Sequence, residues 1–469
     1  MPHGDRSDGL RTGVTGGAAV AGSLSPPAVT ARSYGDYYLI ILAVVLAGYA
    51  IFGKTFAYLG FPPLYVGEIA FLLGIVAFIQ SRCVIATFAN MPMLLLSLLM
   101  AWVLLRTLPF IGLYGINAVR DSVIVMYGGF AFIVVGLMLQ KPERLPVTLS
   151  FLQILGVFLI PLTPFLIMMS DQSYTSVSGE SAAAYVKIGT TGVHIAAAML
   201  MIFLGFRRPR LFWIVLLIIG MAVVASQGRG GMLAMAAMVG VAVLVTGRVR
   251  AFAAVFALAV VVLGVAYILD LSIPTPRGRD MGAAQVVDNF LSIFNLSNHN
   301  LDTTKQWRAQ WWNLIYQYTF DGPYFWGGKG FGVNLTIEDG IAPAWTSALV
   351  PLLRSPHNAH MTILARTGVP GLTLWLLMLL SWGVTMLKTI LLARRRGDTA
   401  WSNFLLLTFC YLLGFAIDAT FDVTLEGPMA GIWFWCLYGV GVGGCMIYRA
   451  ETRALAQPRA TDLKFAGQR

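Results

Sequence analysis

The sequence predicts an all-α polytopic membrane protein, and three observations carry that prediction. Of its 469 residues, 58% are hydrophobic and only 11% charged, against about 25% charged in a soluble domain. The mean hydropathy is +0.75. Apolar runs of about 20 residues, enough for a helix to cross a hydrocarbon core of about 30 Å, alternate with short polar breaks. The alternating segments of about 10 residues that mark a transmembrane barrel are not seen in the chain. A net charge of +11 would suggest nucleic acid in a soluble protein. Here basic loops on one membrane face account for it, so the expected partner is the lipid bilayer and not a nucleic acid.

Taken in order, residues 1–36 open with a stretch rich in Gly, Ser, Ala, Thr and Pro, which reads as a disordered tail. Residues 37–269 hold nine apolar runs, near 37–52, 64–79, 93–105, 122–139, 147–169, 192–206, 211–225, 232–245 and 252–269. Residues 270–358 form the one long polar insert. Residues 359–448 hold three more runs, near 362–387, 403–417 and 428–447, and 449–469 form a second tail. The expectation is therefore about twelve transmembrane helices with one large external loop.

Orientation follows from the basic residues. With the N-terminus inside, the inner turns carry Arg82, Lys141, Arg144, Arg207, Arg208, Arg210, Arg248, Arg250 and Arg394 to Arg396, and Arg449 and Arg453 follow the last run. Short outer turns carry far fewer, as the positive-inside rule requires. That puts 270–358 outside, with the turns near Arg120, Arg229 and Asp422. The four cysteines, Cys83, Cys410, Cys436 and Cys445, have no spacing that suggests zinc or a disulfide framework.

Most of the groups that could do chemistry lie on the outer side. Residues 303–319 have helical spacing with an aromatic face that includes Trp307, Trp311, Trp312 and Tyr316. This predicts an amphipathic helix at the membrane surface, its aromatics serving as an interfacial belt or as a platform for sugar rings. Arg120, Arg229, Arg308, Arg354 and Arg366 are the outer arginines. Charge beside hydrocarbon needs a partner: a carboxylate, a lipid headgroup, or a diphosphate gripped by the guanidinium fork. Arg229 sits among glycines in Ser226-Gln227-Gly228-Arg229-Gly230-Gly231, where a backbone can approach a ligand closely.

His357 begins the last apolar block, and a histidine there suits general-base work. His360, three residues on, could share its helical face, but no further ligand cluster completes a metal site and none is expected. Asp418, Asp422 and Glu426 gather at an outer helix end, where Asp418 or Asp422 is expected to orient His357 or an arginine. His194 reads as a packed residue inside a span. The run Gly327-Gly328-Lys329-Gly330-Phe331-Gly332 reads as a flexible turn, too loose for a phosphate loop.

These residues resemble the O-antigen ligase and polymerase superfamily. His357-Asn358, nine residues, Gly368, two residues and Gly371 match that family's loop signature. Arg308 with Trp312, Gly322-Pro323 and the glycine run are similar to its upstream pattern. Ser226 to Gly231 looks like its Ser-Arg-Gly turn, although Gly228 stands where a serine is usual, and Arg120-Asp121 at a helix start is also similar. The resemblance implies a GT-C-like, metal-independent, inverting glycosyltransferase of the bacterial inner membrane that works on the periplasmic side without a cofactor. Its donor would be a glycan on undecaprenyl diphosphate, and its acceptor a lipid A core (ligase) or a second lipid-linked glycan (polymerase). By the same resemblance His357, Arg229 and Arg308 would be catalytic, with Arg120, Arg354, Asn358, Asp418 and Asp422 around the substrate. A transporter or flippase of the same lipid predicts broken helices with midplane charge. A scaffold predicts a replaceable His357.

Overall fold

The computed structural model describes residues 32–169, 173–175, 181–183, 186–208, 210–274, 280–293, 302–341 and 354–456. The expected tails fall mostly outside these residues, at 1–31 and 457–469. The described chain is helical apart from three two-stranded antiparallel hairpins, each joining neighbouring strands. The helices are α1 Tyr34–Phe52, α2 Val66–Gln80, α3 Met91–Tyr114, α4 Ile116–Met126, α5 Gly129–Gln140, α6 Arg144–Met169, α7 Ile188–Phe203 and α8 Leu211–Gln227. They continue with α9 Arg229–Thr246, α10 Val249–Ile268, α11 Ala283–Ile293, α12 Asp302–Tyr316, α13 Ala359–Arg395, α14 Thr399–Phe421 and α15 Pro428–Ala456.

Among the described residues, eight helices are long and apolar enough to cross a membrane, or nine if α4 and α5, bent by 41°, make one span. The apolar helices α2, α7 and α8 have 15, 16 and 17 residues. At 1.5 Å per residue they fall short of the full hydrocarbon thickness. Each of the twelve apolar runs is helical, but the span count does not follow from that alone. The tail is also shorter than expected, because Ser33 caps α1 and its first turn includes Asp36. Arg144 explains that early start: it donates to Asp36 at 2.8 Å and to the Ser33 hydroxyl at 2.8 Å.

The core is set by α15, whose apolar window is 94% buried. Small residues let it approach α5: a Cβ at Gly439 would lie 2.7 Å from the Ala131 carbonyl oxygen, the close helix contact that glycine permits in membranes. Around it Trp375, Trp433, Trp435, Phe404 and Phe415 are fully buried. At the other extreme, α10 buries no side chain and presents Val260, Val261 and Val265 outward, as a lipid-facing helix must.

Four helices run between two chemically different ends. α7, α9, α13 and α14 have one terminus at the basic turns: Arg248 bonds the Phe203 carbonyl, Arg394 the Thr246 carbonyl at 3.4 Å, and Asn403 the Leu204 carbonyl at 2.8 Å. Their opposite termini, at Lys187, Arg229, His357 and Asp422, come together as the site described next.

Candidate active site

His357 precedes α13 and its backbone is left-handed, with φ of 53°. For a side chain with a Cβ that conformation costs of order 1–2 kcal/mol, so the surroundings must enforce it. Three contacts do. Asn358 is the N-cap of α13, its side-chain oxygen accepting from the amides of His360 at 2.9 Å and Met361 at 3.2 Å. The Trp312 indole donates to the Pro356 carbonyl at 2.8 Å. The Trp307 ring stands 6.2 Å from the imidazole, edge to face.

The His-Asn signature is thus largely a device for setting the backbone. Its Gly368 has φ of 70° and breaks α13, and a Cβ there would run into the Phe325 carbonyl. The Val369 amide then bonds that carbonyl at 2.8 Å. The glycine run 327–332 is correspondingly not the loose turn expected from its composition. The Lys329 amide donates to the Ala365 carbonyl at 2.7 Å and the Gly330 amide to Arg366 at 3.1 Å. Gly328 is left-handed at φ of 60°, and a Cβ there would meet the Arg366 carbonyl carbon at 2.5 Å.

Asp422, just past the end of α14, is the hub. Its Oδ1 lies 3.3 Å from His357 Nδ1, and its Oδ2 lies 3.5 Å from Lys187 Nζ. Burial alone would raise this carboxyl, but Lys187 and the His357 hydrogen bond outweigh it and hold Asp422 below the usual carboxylate range. An ionised carboxylate only accepts, so His357 Nδ1 is the donor of this pair and Nε2 is the ring nitrogen that Asp422 does not engage. Arg308 on α12 donates to the Phe421 carbonyl at 2.9 Å. Burial lowers the pKa of its guanidinium, Asp422 raises it, and Arg229 lowers it further.

Arg229, the first residue of α9, donates to the Ser292 hydroxyl of α11 at 3.4 Å. α11 is itself tied to the end of α8, since Asn289 donates to the Ala225 and Ser226 carbonyls at 2.9 and 2.7 Å. The glycines after Arg229 serve close helix packing: a Cβ at Gly231 would lie 3.1 Å from Gly189 Cα on α7, and one at Gly230 lies 3.1 Å from Phe421 Cβ. His357 and Arg308 therefore meet at Phe421-Asp422, and Arg229 opens the helix whose Gly230 packs on Phe421.

Other sequence candidates sit elsewhere. Arg354 pairs with Asp121 at 3.1 Å and donates to the Gly332 carbonyl at 3.0 Å. Arg366 joins the same carboxylate at 3.1 Å. Arg120 is exposed on α4. Asp418 is buried behind the hub, accepting from Thr424 at 2.8 Å and Thr190 at 3.4 Å. His360 has a different task from His357, with Nδ1 accepting from the Trp375 indole at 2.9 Å and Nε2 facing Thr420 at 3.3 Å. His194 is buried against Tyr411. The aromatic helix is less an interfacial belt than a loop core: Trp311 is fully buried, and its indole donates to Asp339 at 2.6 Å.

The sequence reading missed Lys187. The available signal is a lone lysine at the outer edge of an apolar run.

Lys187 and Arg308 thus lie about one ionised carboxylate beside His357, with Arg229 next to Arg308, at the end of the bundle away from the basic turns. Residues 214–376 match the family described as O-Antigen ligase. That stretch is an O-antigen ligase family domain. The match supports a membrane enzyme of the O-antigen ligase and polymerase type. No curated protein matches the chain. The O-antigen ligase domain includes Arg229, Arg308 and His357, whereas Lys187 and Asp422 lie outside the matched residues.

Proposed function

We propose that this chain transfers a glycan from undecaprenyl diphosphate to an acceptor hydroxyl on the periplasmic side, in the manner of a ligase that uses lipid A core. The single observation that carries this reading is the grouping of His357, Lys187 and Arg308 about Asp422, with Arg229 beside Arg308. A diphosphate leaving group gains charge as the anomeric C–O bond breaks, and fixed cations stabilise that charge most in the transition state.

In this reading Arg229 and Arg308 hold the diphosphate oxygens. The acceptor hydroxyl attacks the anomeric carbon from the opposite face and gives its proton to His357 Nε2. One C–O bond forms as the other breaks, the diphosphate departs on the lipid, and the anomeric configuration inverts. Asp422 accepts from Nδ1, orienting the ring and stabilising the imidazolium. Lys187 keeps Asp422 ionised. Arg120, Arg354 and Asp418 lie outside this step, and Asn358 acts by holding the backbone of His357. Buried Nε atoms of Arg308 and Arg354 have no hydrogen-bond partner among the described residues. Of the two, Arg308 is the one beside the histidine, and its Nε is a ready donor for a phosphate oxygen.

Polymerase activity, with a second lipid-linked glycan as acceptor, uses the same residues. Reconstitution in liposomes with an undecaprenyl-diphosphate glycan and either acceptor tests the choice. The expected product is glycosylated lipid A core, and lengthened lipid-linked glycan assigns a polymerase instead. Movement of the donor across the bilayer without transfer to either acceptor overturns the reading in favour of a flippase. EDTA is expected to leave the rate unchanged; inhibition restored by a divalent ion contradicts the metal-independent step.

A further inference from the structure

A cavity lies at the opposite end of the bundle, between the last turns of α13 and α15. It has a volume of about 600 Å³ and is lined by Lys388, Leu391, Leu392, Arg395, Arg449, Thr452 and Arg453. Four of those side chains are cationic and none is acidic. The nearest acid on α15, Glu451, is electrostatically coupled to Asp398. Arg449 is fixed in place, donating to the Thr389 hydroxyl at 2.9 Å. Lys388, Arg395 and Arg453 are exposed.

An apolar track leads into this groove. On α13, Leu377, Leu380 and Val384 are 45%, 63% and 38% exposed, and steps of three and four residues keep them on the face that Lys388, Leu391 and Arg395 continue. A soluble anion needs only the cations. A lipid needs both the cations and an uninterrupted apolar strip at hydrocarbon depth, and basic pockets between helices take anionic headgroups.

We infer that the α13–α15 groove binds the headgroup of an anionic phospholipid, with an acyl chain lying along Leu377, Leu380 and Val384. This site is separate from the transfer chemistry and does not depend on it. It also gives the basic end a structural lipid, held where α13 leaves the membrane.

The test is native mass spectrometry of the purified full chain after titration with phosphatidylglycerol, with phosphatidylcholine of the same chains, or with inorganic phosphate. One tightly retained phosphatidylglycerol is expected, with neither phosphatidylcholine nor phosphate replacing it. The triple variant Lys388→Gln, Arg395→Gln, Arg453→Gln should weaken retention roughly 100-fold, at about fivefold per basic residue. A control with equal charge loss elsewhere, Arg82→Gln, Arg208→Gln, Arg250→Gln, should retain the lipid. Equal loss in both variants would reduce the site to diffuse surface charge and overturn the proposal. So would unchanged retention in the groove variant, or competition by phosphate alone. Should the groove variant fail to fold, Leu380→Glu, which interrupts only the acyl track, serves as the second test and must also weaken retention.

Discussion

Asp121 and Asp422 each gather cations, and the two clusters are built for different work. Around Asp121, Arg354 and Arg366 both reach Oδ2 at 3.1 Å, and the Gly332 amide donates to the same atom at 3.1 Å. Arg366 is 2% exposed, and its second nitrogen reaches the Gly330 and Val333 carbonyls. Those bonds tie the loop to α4 and α13 and leave little room for a ligand. Around Asp422 the carboxylate is 35% exposed, and its neighbours come from α7, α12 and the turn before α13. A carboxylate enclosed by paired donors supports structure, while one shared by a histidine and partly open cations can take part in chemistry.

The comparison sharpens into measurements. The largest expected effect is on folding. Asp121→Ala leaves Arg366 buried without its counter-charge and should destabilise the protein by about 3–5 kcal/mol, read as a large drop in melting temperature. If melting stays unchanged, the Asp121 cluster is not structural. Asp422→Asn should lower melting less than Asp121→Ala does, through the lost pairing with Lys187, while lowering transfer on the order of 100-fold, because the base loses its orienting acceptor. Equal loss of stability and transfer would erase the distinction between the two carboxylates. Arg308→Lys keeps charge but removes the fork; losing one charge-assisted bond worth about 1.5–3 kcal/mol should cut transfer by about 10- to 100-fold, and wild-type rates would make Arg308 structural. Asn358→Ala should cost about 1 kcal/mol of stability through the lost cap, seen by melting.

The pH dependence separates the groups as well. A carboxylate held below its usual range contributes its full stabilisation above the unfolded value of about 3.9. It loses that contribution only as pH falls through the lower folded value. Asp422 therefore stays charged near neutrality. The stability difference between wild type and Asp422→Asn should shrink as pH falls below about 4, and a difference that persists unchanged in acid would show that Asp422 is not held ionised.

The apolar runs could be read from the chain because hydrocarbon imposes a strong local signal. The ends of those runs could not. α3 extends to Tyr114, past Pro109, because Arg106 donates to the Gly327 carbonyl at 2.8 Å and Tyr114 packs on Gly332. Those contacts link residues more than two hundred positions apart. The same holds for the site. His357, Arg229 and Arg308 stand out by residue type and position, but Lys187 meets Asp422 only through the packing of α7 on α14. Arg354 is the opposite case, lying three residues from His357 in sequence yet paired with Asp121. Local proximity suggested a substrate contact, and the fold uses the residue as a brace.

The most direct measurement is single-turnover transfer by reconstituted His357→Ala, with donor binding followed in the same sample. The account predicts that donor binds through Arg229 and Arg308 while transfer falls by at least about 100-fold. Transfer at the wild-type rate would contradict it, because the proposed step gives the hydroxyl proton to His357.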